Sequence, residues 1–369
     1  MSSLNKKHLF LYKSKVILLG SLIFLAGCTR VPANSSPSST VTGVVEVHFI
    51  DTGNSDSILI KEGKKAMLID GGDTDDDHDL VNYLEQQGVT ELEYVVASHP
   101  HADHIGGLDS IIKNFPIRYL FVANGDAETK TYQSFIQAAM DKALTPSVPL
   151  EGKQFKLENS YFEVFNTNGG STTNEASLVL RLTNGEDTFL FTGDAEKETE
   201  LEILDHMTDV DLLKVGHHGS HSSTTDAFLS KLQPEYAVIL ASNPNKYGHP
   251  HIETIEKLEK AQIEVHRSDE CGNIVFISTG NGLQTDCPIG SYNRGAQEGK
   301  DTSTSSTKPT PTAKPTTPQV QTPTVYWTPN GKSYHTTKDC SALAKSKTIL
   351  SGTQVESSKT DPCDRCHSK

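Results

Sequence analysis

The sequence predicts an α/β fold in which two β-sheets pack face to face and helices cover their outer faces, a four-layered αββα sandwich. Short β-branched segments bounded by Gly, Asp and Asn indicate strands, and amphipathic segments between them indicate helices. This alternation is loose and occurs in two successive halves with a comparable rhythm. We therefore expect two sheets with helices outside them rather than one doubly wound sheet.

The elements of each half follow from the spacing of apolar residues. In the first half, strands are predicted at residues 44–50, 57–60, 65–70, 92–100 and 118–124, and helices at 79–88 and 108–115. In the second half, strands are predicted at residues 161–166, 176–183, 188–194, 209–220, 236–243 and 273–279, and helices at 195–207, 227–235 and 252–262.

Residues 1–28 predict an export signal. A lysine-rich start precedes an apolar run at residues 16–26, which is too short to span a bilayer. The ending Leu-Ala-Gly before Cys28 resembles a bacterial lipobox, whose cysteine is lipidated after cleavage. The alternative is an ordinary signal peptide with an accidental cysteine. We expect residues 29–43 to be a polar tether, with the protein lipid-anchored on the outer face of the bacterial cytoplasmic membrane or extracellular.

The rest of the chain divides where the composition changes. We expect a large domain at residues 44–288, a linker rich in Thr and Pro at 289–323, and a small module at 324–369. The formal net charge of −14 argues against a strongly basic surface for coating nucleic acid. It does not exclude a nuclease, whose contacts are local and mediated by metal.

Residues 98–107 read SHPHADHIGG and concentrate groups that bind metals. His99 and His101 are two residues apart where a strand ends, so their imidazoles point to the same side. Asp103 and His104 lie at the entry of the next helix. The spacing H-x-H-x-D-H suits two adjacent cations, since imidazole and carboxylate are good ligands for zinc, manganese or iron. The alternative is a solvated loop with fortuitous histidines.

This motif resembles the signature of the metallo-β-lactamase fold superfamily of hydrolases, and the motifs around it resemble the hydrolase domain of ComEC/Rec2-type competence proteins. The resemblance implies a dinuclear site that holds two divalent metal ions, zinc or manganese. The residues that carry it are 51–60, 68–72, 97–108, 174–182, 189–196, 212–220 and 247–251.

The resemblance also implies roles for residues later in the chain. Asp194 is expected to bridge the two cations, although it also suits the N-cap of the following helix. One of His217 and His218 is expected to complete the second metal site, with His217 preferred. Adjacent strand residues point in opposite directions, so we expect the other histidine, His218, to face the substrate.

Asn174 departs from the family pattern, because many members have a histidine there that completes the first metal site. An amide is a poorer zinc ligand than an imidazole. Asn174 therefore leaves the first site weaker, holds a substrate oxygen, or is a turn residue before a strand. These alternatives stay open.

His249 ends another predicted strand and is expected to give a proton to the leaving group or to contact a phosphate. The alternative is an exposed loop histidine. Asp51, Asp56 and Asp70 lie in turns under the site and are expected to orient the ligating imidazoles. Lys214 and Lys246 each lie near a site motif and are expected to add positive charge at the mouth of the cleft.

The expected reaction is metal-assisted hydrolysis. Two cations about 3.5–4 Å apart lower the pKa of bound water and stabilise charge on the leaving oxygen. Asp103 is expected both to hold metal and to orient the attacking group. The resemblance implies DNA as substrate. Hydrolysis of another extracellular ester, a lactone, a β-lactam or a cell-wall phosphodiester is the alternative, and a non-catalytic surface protein with a structural metal is a second one.

The chain contains six cysteines. If Cys28 is lipidated, an odd number remains, so they cannot all form internal disulfides. Cys271 and Cys287 flank a strand-turn segment and are expected to pair in the oxidising exterior. The tail offers a Cys3His zinc site, and it resembles small zinc-binding modules of secreted bacterial nucleases and Ada-type DNA repair proteins; the alternative is a disulfide with a free thiol. The four zinc ligands are His335, Cys340, Cys363 and Cys366.

Overall fold

The computed structural model of the protein describes residues 43–75, 77–299, 325–328, 332–344, 349–352 and 361–363. The predicted export signal with Cys28, nearly all of the tether, residues 300–323 of the predicted linker, and Cys366 lie outside these ranges. Within them, no helix is both long enough and apolar enough to cross a membrane.

The large domain is built from strands and helices that alternate along the chain. The strands are β1 (Val45–Phe49), β2 (Ile58–Glu62), β3 (Lys65–Ile69), β4 (Leu92–Ala97), β5 (Ile117–Val122), β6 (Pro146–Ser147), β7 (Gln154–Lys156), β8 (Tyr161–Asn166), β9 (Val179–Asn184), β10 (Asp187–Phe191), β11 (Leu212–Lys214), β12 (Tyr236–Ile239), β13 (Glu264–Arg267), β14 (Ile274–Ser278) and β15 (Leu283–Thr285). The helices are α1 (Asp77–Gln86), α2 (Ala102–Ile105), α3 (Leu108–Asn114), α4 (Lys130–Asp141), α5 (Lys197–Ile203), α6 (Asp226–Leu232), α7 (Ile252–Lys260) and α8 (Ser268–Cys271).

The strands form two mixed sheets. The first has eight strands in the order β15-β14-β1-β2-β3-β4-β5-β6, and the second has seven in the order β13-β12-β11-β10-β9-β8-β7. In the first sheet β3, β4 and β5 are parallel neighbours. In the second, β10, β11, β12 and β13 are parallel. Parallel strands bring their carboxyl ends to one edge, where ligands bind in α/β folds.

The core confirms the four layers. Apolar residues from both sheets, such as Phe49 and Phe189, form one buried cluster between them. On the far side of the first sheet, Leu68 packs with residues of α1, α3 and α4. On the far side of the second, Leu213 packs with residues of α6 and α7. The predicted αββα sandwich is therefore confirmed.

The structure corrects two boundaries in the second half. The strand expected at residues 209–220 ends at Lys214, and the chain continues into a 3₁₀ turn at Gly216–Gly219. Residues 289–299, which were expected to belong to the linker, pack against the domain. In that segment the Tyr292 hydroxyl donates to Ile263 O, and Gly295 N donates to Pro250 O. The predicted disulfide between Cys271 and Cys287 is confirmed.

The chain divides into two compact units, residues 1–303 and 304–369. The described part of the second unit contains short strands and a small apolar cluster of Val325, Trp327 and Tyr334. Its strands pair as β16 (Val325–Trp327) with β18 (Leu350–Gly352), and β17 (Ser333–Tyr334) with β19 (Asp361–Pro362).

Candidate metal centre

The loops that leave β4, β10, β11 and β12 meet at one edge of the sandwich. The loop after β4 carries His99 to His104, and the loop after β10 carries Asp194. The turn after β11 carries His217 and His218. Each loop follows a strand that is buried on both faces, so the backbone that carries these side chains is held in place by the core.

Asp194 lies at the centre of the cluster, and its two carboxylate oxygens face different partners. Oδ1 is 3.2 Å from His104 Nε2 and 3.8 Å from His218 Nε2. Oδ2 is 3.8 Å from His99 Nε2 and 3.6 Å from His217 Nε2. The carboxylate therefore separates two sets of nitrogen donors.

The first set of donors is compact. Ligand atoms of Asp103, His104, Asp194 and His218 all lie within 4.8 Å of one another. His218 Nε2 is 3.6 Å from Asp103 Oδ2. The structure brings His218 into this group, whereas His217, which was preferred for the second metal site, faces the other oxygen of Asp194.

The second set contains His99 and His101. His99 Nε2 lies 3.0 Å from His101 Nδ1, and the two rings are edge to face. Asn174 lies next to this set through His217, with its Nδ2 3.4 Å from His217 Nδ1. Its Oδ1 is buried and has no hydrogen-bond partner among the described residues.

Three of these imidazoles have their Nδ1 atom within hydrogen-bonding distance of a neighbouring oxygen. His104 Nδ1 is 2.7 Å from Asp70 Oδ2, and His99 Nδ1 is 3.1 Å from Ser98 Oγ. His218 Nδ1 donates to Leu240 O at 3.0 Å. Such contacts fix the tautomer and leave Nε2 for a metal.

The three aspartates expected to orient imidazoles divide into two kinds. Asp70 does so directly, and it also accepts from Ser98 N at 2.7 Å. Asp56 Oδ1 lies 3.3 Å from His218 Nδ1. Asp51 is exposed, and its carboxylate accepts from Gly53 N at 3.3 Å, so it shapes its own turn rather than orienting an imidazole.

Lys214 is fully buried, so its expected place at the cleft mouth is wrong. Its Nζ lies 2.8 Å from Asp56 Oδ2 and donates to Val215 O at 3.1 Å. Burial raises the pKa of Asp56, but the charges of Lys214 and His218 outweigh it and lower that pKa to about 2. Lys214 therefore stabilises a carboxylate beneath the site. Lys246, in contrast, is exposed.

His249 is buried rather than an exposed loop histidine. Asn245 holds its loop, because Asn245 Oδ1 accepts from His249 N at 3.0 Å and Asn245 Nδ2 donates to His249 O. The ring centroid lies 5.5 Å from that of His217 and 6.1 Å from that of His218. Burial, with the neighbouring histidines, lowers the pKa of His249 to about 3. The ring is therefore neutral at neutral pH and offers one N–H and one lone pair.

The donors fit a divalent metal. Three buried polar atoms, Asp194 Oδ1, His104 Nε2 and His218 Nε2, lie close together. None of them has a hydrogen-bond partner among the described residues. A buried polar atom left in that state costs about 1–3 kcal/mol. Burial lowers the pKa of His218, but Asp194 and Asp56 outweigh it and raise that pKa to about 9. A bound cation would supply the positive charge that these carboxylates draw to the ring.

A cavity of about 350 Å³ opens beside Asp103. Asn54 and Asn245 line it, together with the exposed side chains of Lys246 and Tyr247. Asp103 therefore stands between the donor cluster and a space large enough for part of a substrate.

Sequence reasoning missed three residues of the site: Ser98, Glu196 and Asn245. Each is a polar residue shortly after a strand, which was the available signal. Ser98 holds His99, Glu196 Oε1 lies 3.0 Å from His217 Nδ1, and Asn245 holds the loop of His249.

The family model described as metallo-beta-lactamase superfamily matches residues 50–242. ComE operon protein 3 of Bacillus subtilis is 30% identical over 253 residues, covering 63% of this chain and 33% of that protein. Recombination protein 2 of Haemophilus influenzae is 27% identical over 236 residues, covering 62% of this chain and 28% of that protein. The chain thus matches about a third of the length of these relatives.

A solved structure, the metallo-beta-lactamase fold protein YhfI from Bacillus subtilis, is 13% identical with a TM-score of 0.45 and covers 64% of this chain and 100% of its own.

Proposed function

Because the chain belongs to the metallo-beta-lactamase superfamily, we propose that its large domain is a metal-dependent hydrolase that cleaves phosphodiester bonds in DNA outside the cytoplasmic membrane. The observation that carries the proposal is the position of Asp194, whose two oxygens face two sets of metal donors. DNA is favoured because the relatives are a competence-operon protein and a recombination protein.

Six residues would bind the metal ions. His99, His101, Asp103, His104, Asp194 and His218 would hold two divalent ions, zinc or manganese. Bound ions of this kind lower the pKa of water and neutralise charge on the scissile group. The side chain of Asp103 is 28% exposed and faces the cavity, so it also orients the attacking water.

His249 and Asn174 would act on the substrate. His249 is neutral, so it donates its single N–H to a substrate oxygen rather than delivering a proton from an imidazolium. The Oδ1 of Asn174 is a buried acceptor with no hydrogen-bond partner among the described residues, so it would accept from a substrate group. Lys246, on the cavity wall, offers a positive charge to a phosphate.

The test uses the full chain, stripped of metal and reloaded with manganese or zinc. Its substrates are single- and double-stranded DNA, bis-nitrophenyl phosphate, a lactone and a chromogenic β-lactam. We expect DNA cleavage that Asp194→Ala and Asp103→Ala abolish, because each loses a metal ligand. Asp141→Ala, an exposed carboxylate on α4, is the matched control. Rising salt should weaken DNA binding, since phosphate contacts release counterions.

Two results would contradict the proposal in different ways. Activity on a lactone or β-lactam with DNA left intact would keep the hydrolase and reject the substrate. Metal binding without activity on any substrate of the panel would favour a surface protein whose metal is structural.

The tail would carry its own zinc. Ligand atoms of His335, Cys340 and Cys363 lie within 4.8 Å of one another, and Cys366 would be the fourth ligand. The Sγ atoms of Cys340 and Cys363 are 3.8 Å apart. Tetrahedral zinc with Zn–S bonds of about 2.3 Å needs about that separation, whereas a disulfide needs about 2.05 Å. Cys340→Ser should release one zinc from the chain; a thiol count that rises only after reduction would indicate a disulfide instead.

Residues 1–28 would export the chain, and the lipid on Cys28 would hold it at the membrane through the tether at 29–43. Cys28→Ala should move the protein from the membrane fraction to the medium. Retention of that variant in the membrane fraction would contradict the anchor.

A further inference from the structure

We infer that His217 takes the place of the histidine that Asn174 replaces, so that the adjacent histidines 217 and 218 serve different metal ions. This inference rests on the proposed metal-dependent function. It specifies how the ion beside His99 and His101 is held. It assigns Glu196 as the positioning residue for His217.

The backbone allows neighbouring histidines to share one site without sharing one ion. His217 has φ 49° and ψ 50°, His218 has φ 52° and ψ 23°, and Gly219 has φ 85°. In a strand, successive side chains point to opposite faces, whereas in the left-handed helical region they turn by about 100°. Both rings therefore reach the cluster, 6.2 Å apart between centroids and 67° apart in plane.

The two rings approach different carboxylate oxygens of Asp194. His218 Nε2 approaches Oδ1, on the side of Asp103 and His104. His217 Nε2 lies 3.6 Å from Oδ2, the oxygen that also faces His99 Nε2 at 3.8 Å. Two ligands of a tetrahedral ion with bonds of about 2.1 Å lie about 3.4 Å apart, so both distances are close to those of a common ion.

Glu196 holds His217 as Asp70 holds His104. Glu196 Oε1 is 3.0 Å from His217 Nδ1, and Ser222 Oγ donates to the same oxygen at 2.6 Å. This contact places the proton on Nδ1 and leaves the lone pair of Nε2 directed toward Asp194 Oδ2. A carboxylate behind a ligating imidazole is the usual support of a metal site.

Asn174 reaches the same space from the other half of the sheet, since its Nδ2 lies 3.4 Å from His217 Nδ1. When His217 is replaced by Ala, the space of its ring is vacated, and a histidine at position 174 would extend into that space. The two positions are alternative sources of one ligand, and this provides a rescue experiment.

The experiment measures metal content of the full chain by elemental analysis, as a difference from the parent protein, so that any zinc in the tail cancels. We expect His217→Ala to lose about one ion and Asn174→Ala to lose none. The double variant His217→Ala with Asn174→His should regain the lost ion. His206→Ala, an exposed histidine near α5, is the control for a histidine change that leaves metal content unaltered.

Glu196→Gln tests the positioning role. Removing the support of a ligating histidine weakens metal binding about 10–100-fold. We expect a manganese titration of this variant to show one of the two ions weakened by that factor, with full occupancy at saturating metal. Unchanged affinity for both ions would remove the positioning role.

The outcomes distinguish this inference from the proposed function. Full metal content in His217→Ala, or loss of both ions together, would overturn the inference and leave the hydrolase proposal standing. Equal metal content in the parent and in Asp194→Ala would instead reject the metal centre itself. If His217→Ala fails to fold, the manganese titration of Glu196→Gln still decides the question.

Discussion

At the scale of single residues, the His249 ring is buried in the site and lies beside the rings of His217 and His218. His249→Ala should lower kcat on DNA about 10²–10³-fold, because it removes an N–H that contacts the substrate. Metal content should stay unchanged, since His249 belongs to neither donor set. Assays of kcat and metal content on the same preparation check this. Loss of an ion in this variant would place His249 among the ligands.

Lys214 supports the site through a buried charge. Lys214→Met should destabilise the protein by about 3–5 kcal/mol at neutral pH, because Asp56 would keep its charge without its partner. Denaturant unfolding of metal-free protein measures this, with Lys246→Met, an exposed lysine, as control.

The pH dependence follows from the pKa of Asp56, which its partners lower from 3.8 to about 2. The resulting stabilisation is complete above pH 3.8 and is lost as the pH falls toward 2. The difference between parent and Lys214→Met should therefore shrink in that window. A difference that stays constant down to pH 2 would show that Lys214 acts through packing alone.

The residues of the H-x-H-x-D-H loop were predictable because their spacing is local and each side chain is close to its neighbours in sequence. The turn that lets both His217 and His218 reach the cluster and the burial of Lys214 were not predictable. The expected strand would have placed alternate side chains on opposite faces, but the chain turns left-handed after Lys214. A lysine is usually exposed, and only the tertiary position of Asp56 accounts for its burial here.

At the scale of elements, the segment 289–299 braces the loop of His249. Gly295 N donates to Pro250 O at 2.8 Å, and Asn245 exchanges backbone hydrogen bonds with Ala296 and Glu298. A Cβ at Gly295 would lie 1.8 Å from His249 O. The segment therefore fixes the position of a residue in the site, although it follows the last strand of the sandwich.

Gly295→Ala should push this loop away and lower activity on DNA more than it lowers stability. Gly152→Ala is the matched control. A Cβ at position 152 meets nothing within 4 Å, so this variant adds only the backbone strain of a non-glycine residue at a φ of 74°. Comparing kcat and the denaturation midpoint of both variants checks this. Equal activity in the two variants would mean that the segment does not position His249.

The elements themselves were predictable where their apolar spacing is strong, as in β4 and in α7. The brace was not, because residues 289–299 contain few apolar residues and are held by backbone hydrogen bonds. Such bonds leave no pattern in a sequence. The same reasoning explains why composition assigned residues 289–299 to the linker.

At the scale of the whole molecule, the metal should act as part of the core. Asp56, Asp70, Asp103 and Asp194 crowd the centre of the site, and three of these carboxylates are fully buried. A chelator would remove the divalent cations that offset their charge and leave Lys214 and the histidines as the cationic groups described beside them. Metal at 100 times its Kd should add about 2.7 kcal/mol. Melting temperature should fall on chelation and recover with manganese or zinc.

The control for this prediction is Asp194→Ala, whose melting temperature should respond little to chelator. A Cys340→Ser background keeps any metal in the tail from contributing. A parent protein whose melting temperature ignores both chelator and added metal would contradict the prediction.

The left-handed turn at His217, His218 and Gly219 lowers the thermal stability of the metal-free protein while it positions two rings for metal binding. Each non-glycine residue in that conformation costs about 1–2 kcal/mol, and the turn contains two of them in succession. His217→Gly should therefore give a metal-free protein that melts at a higher temperature than its parent while it binds fewer ions. The two histidines therefore lower the stability of the metal-free fold, and metal binding offsets that loss only when both rings are present.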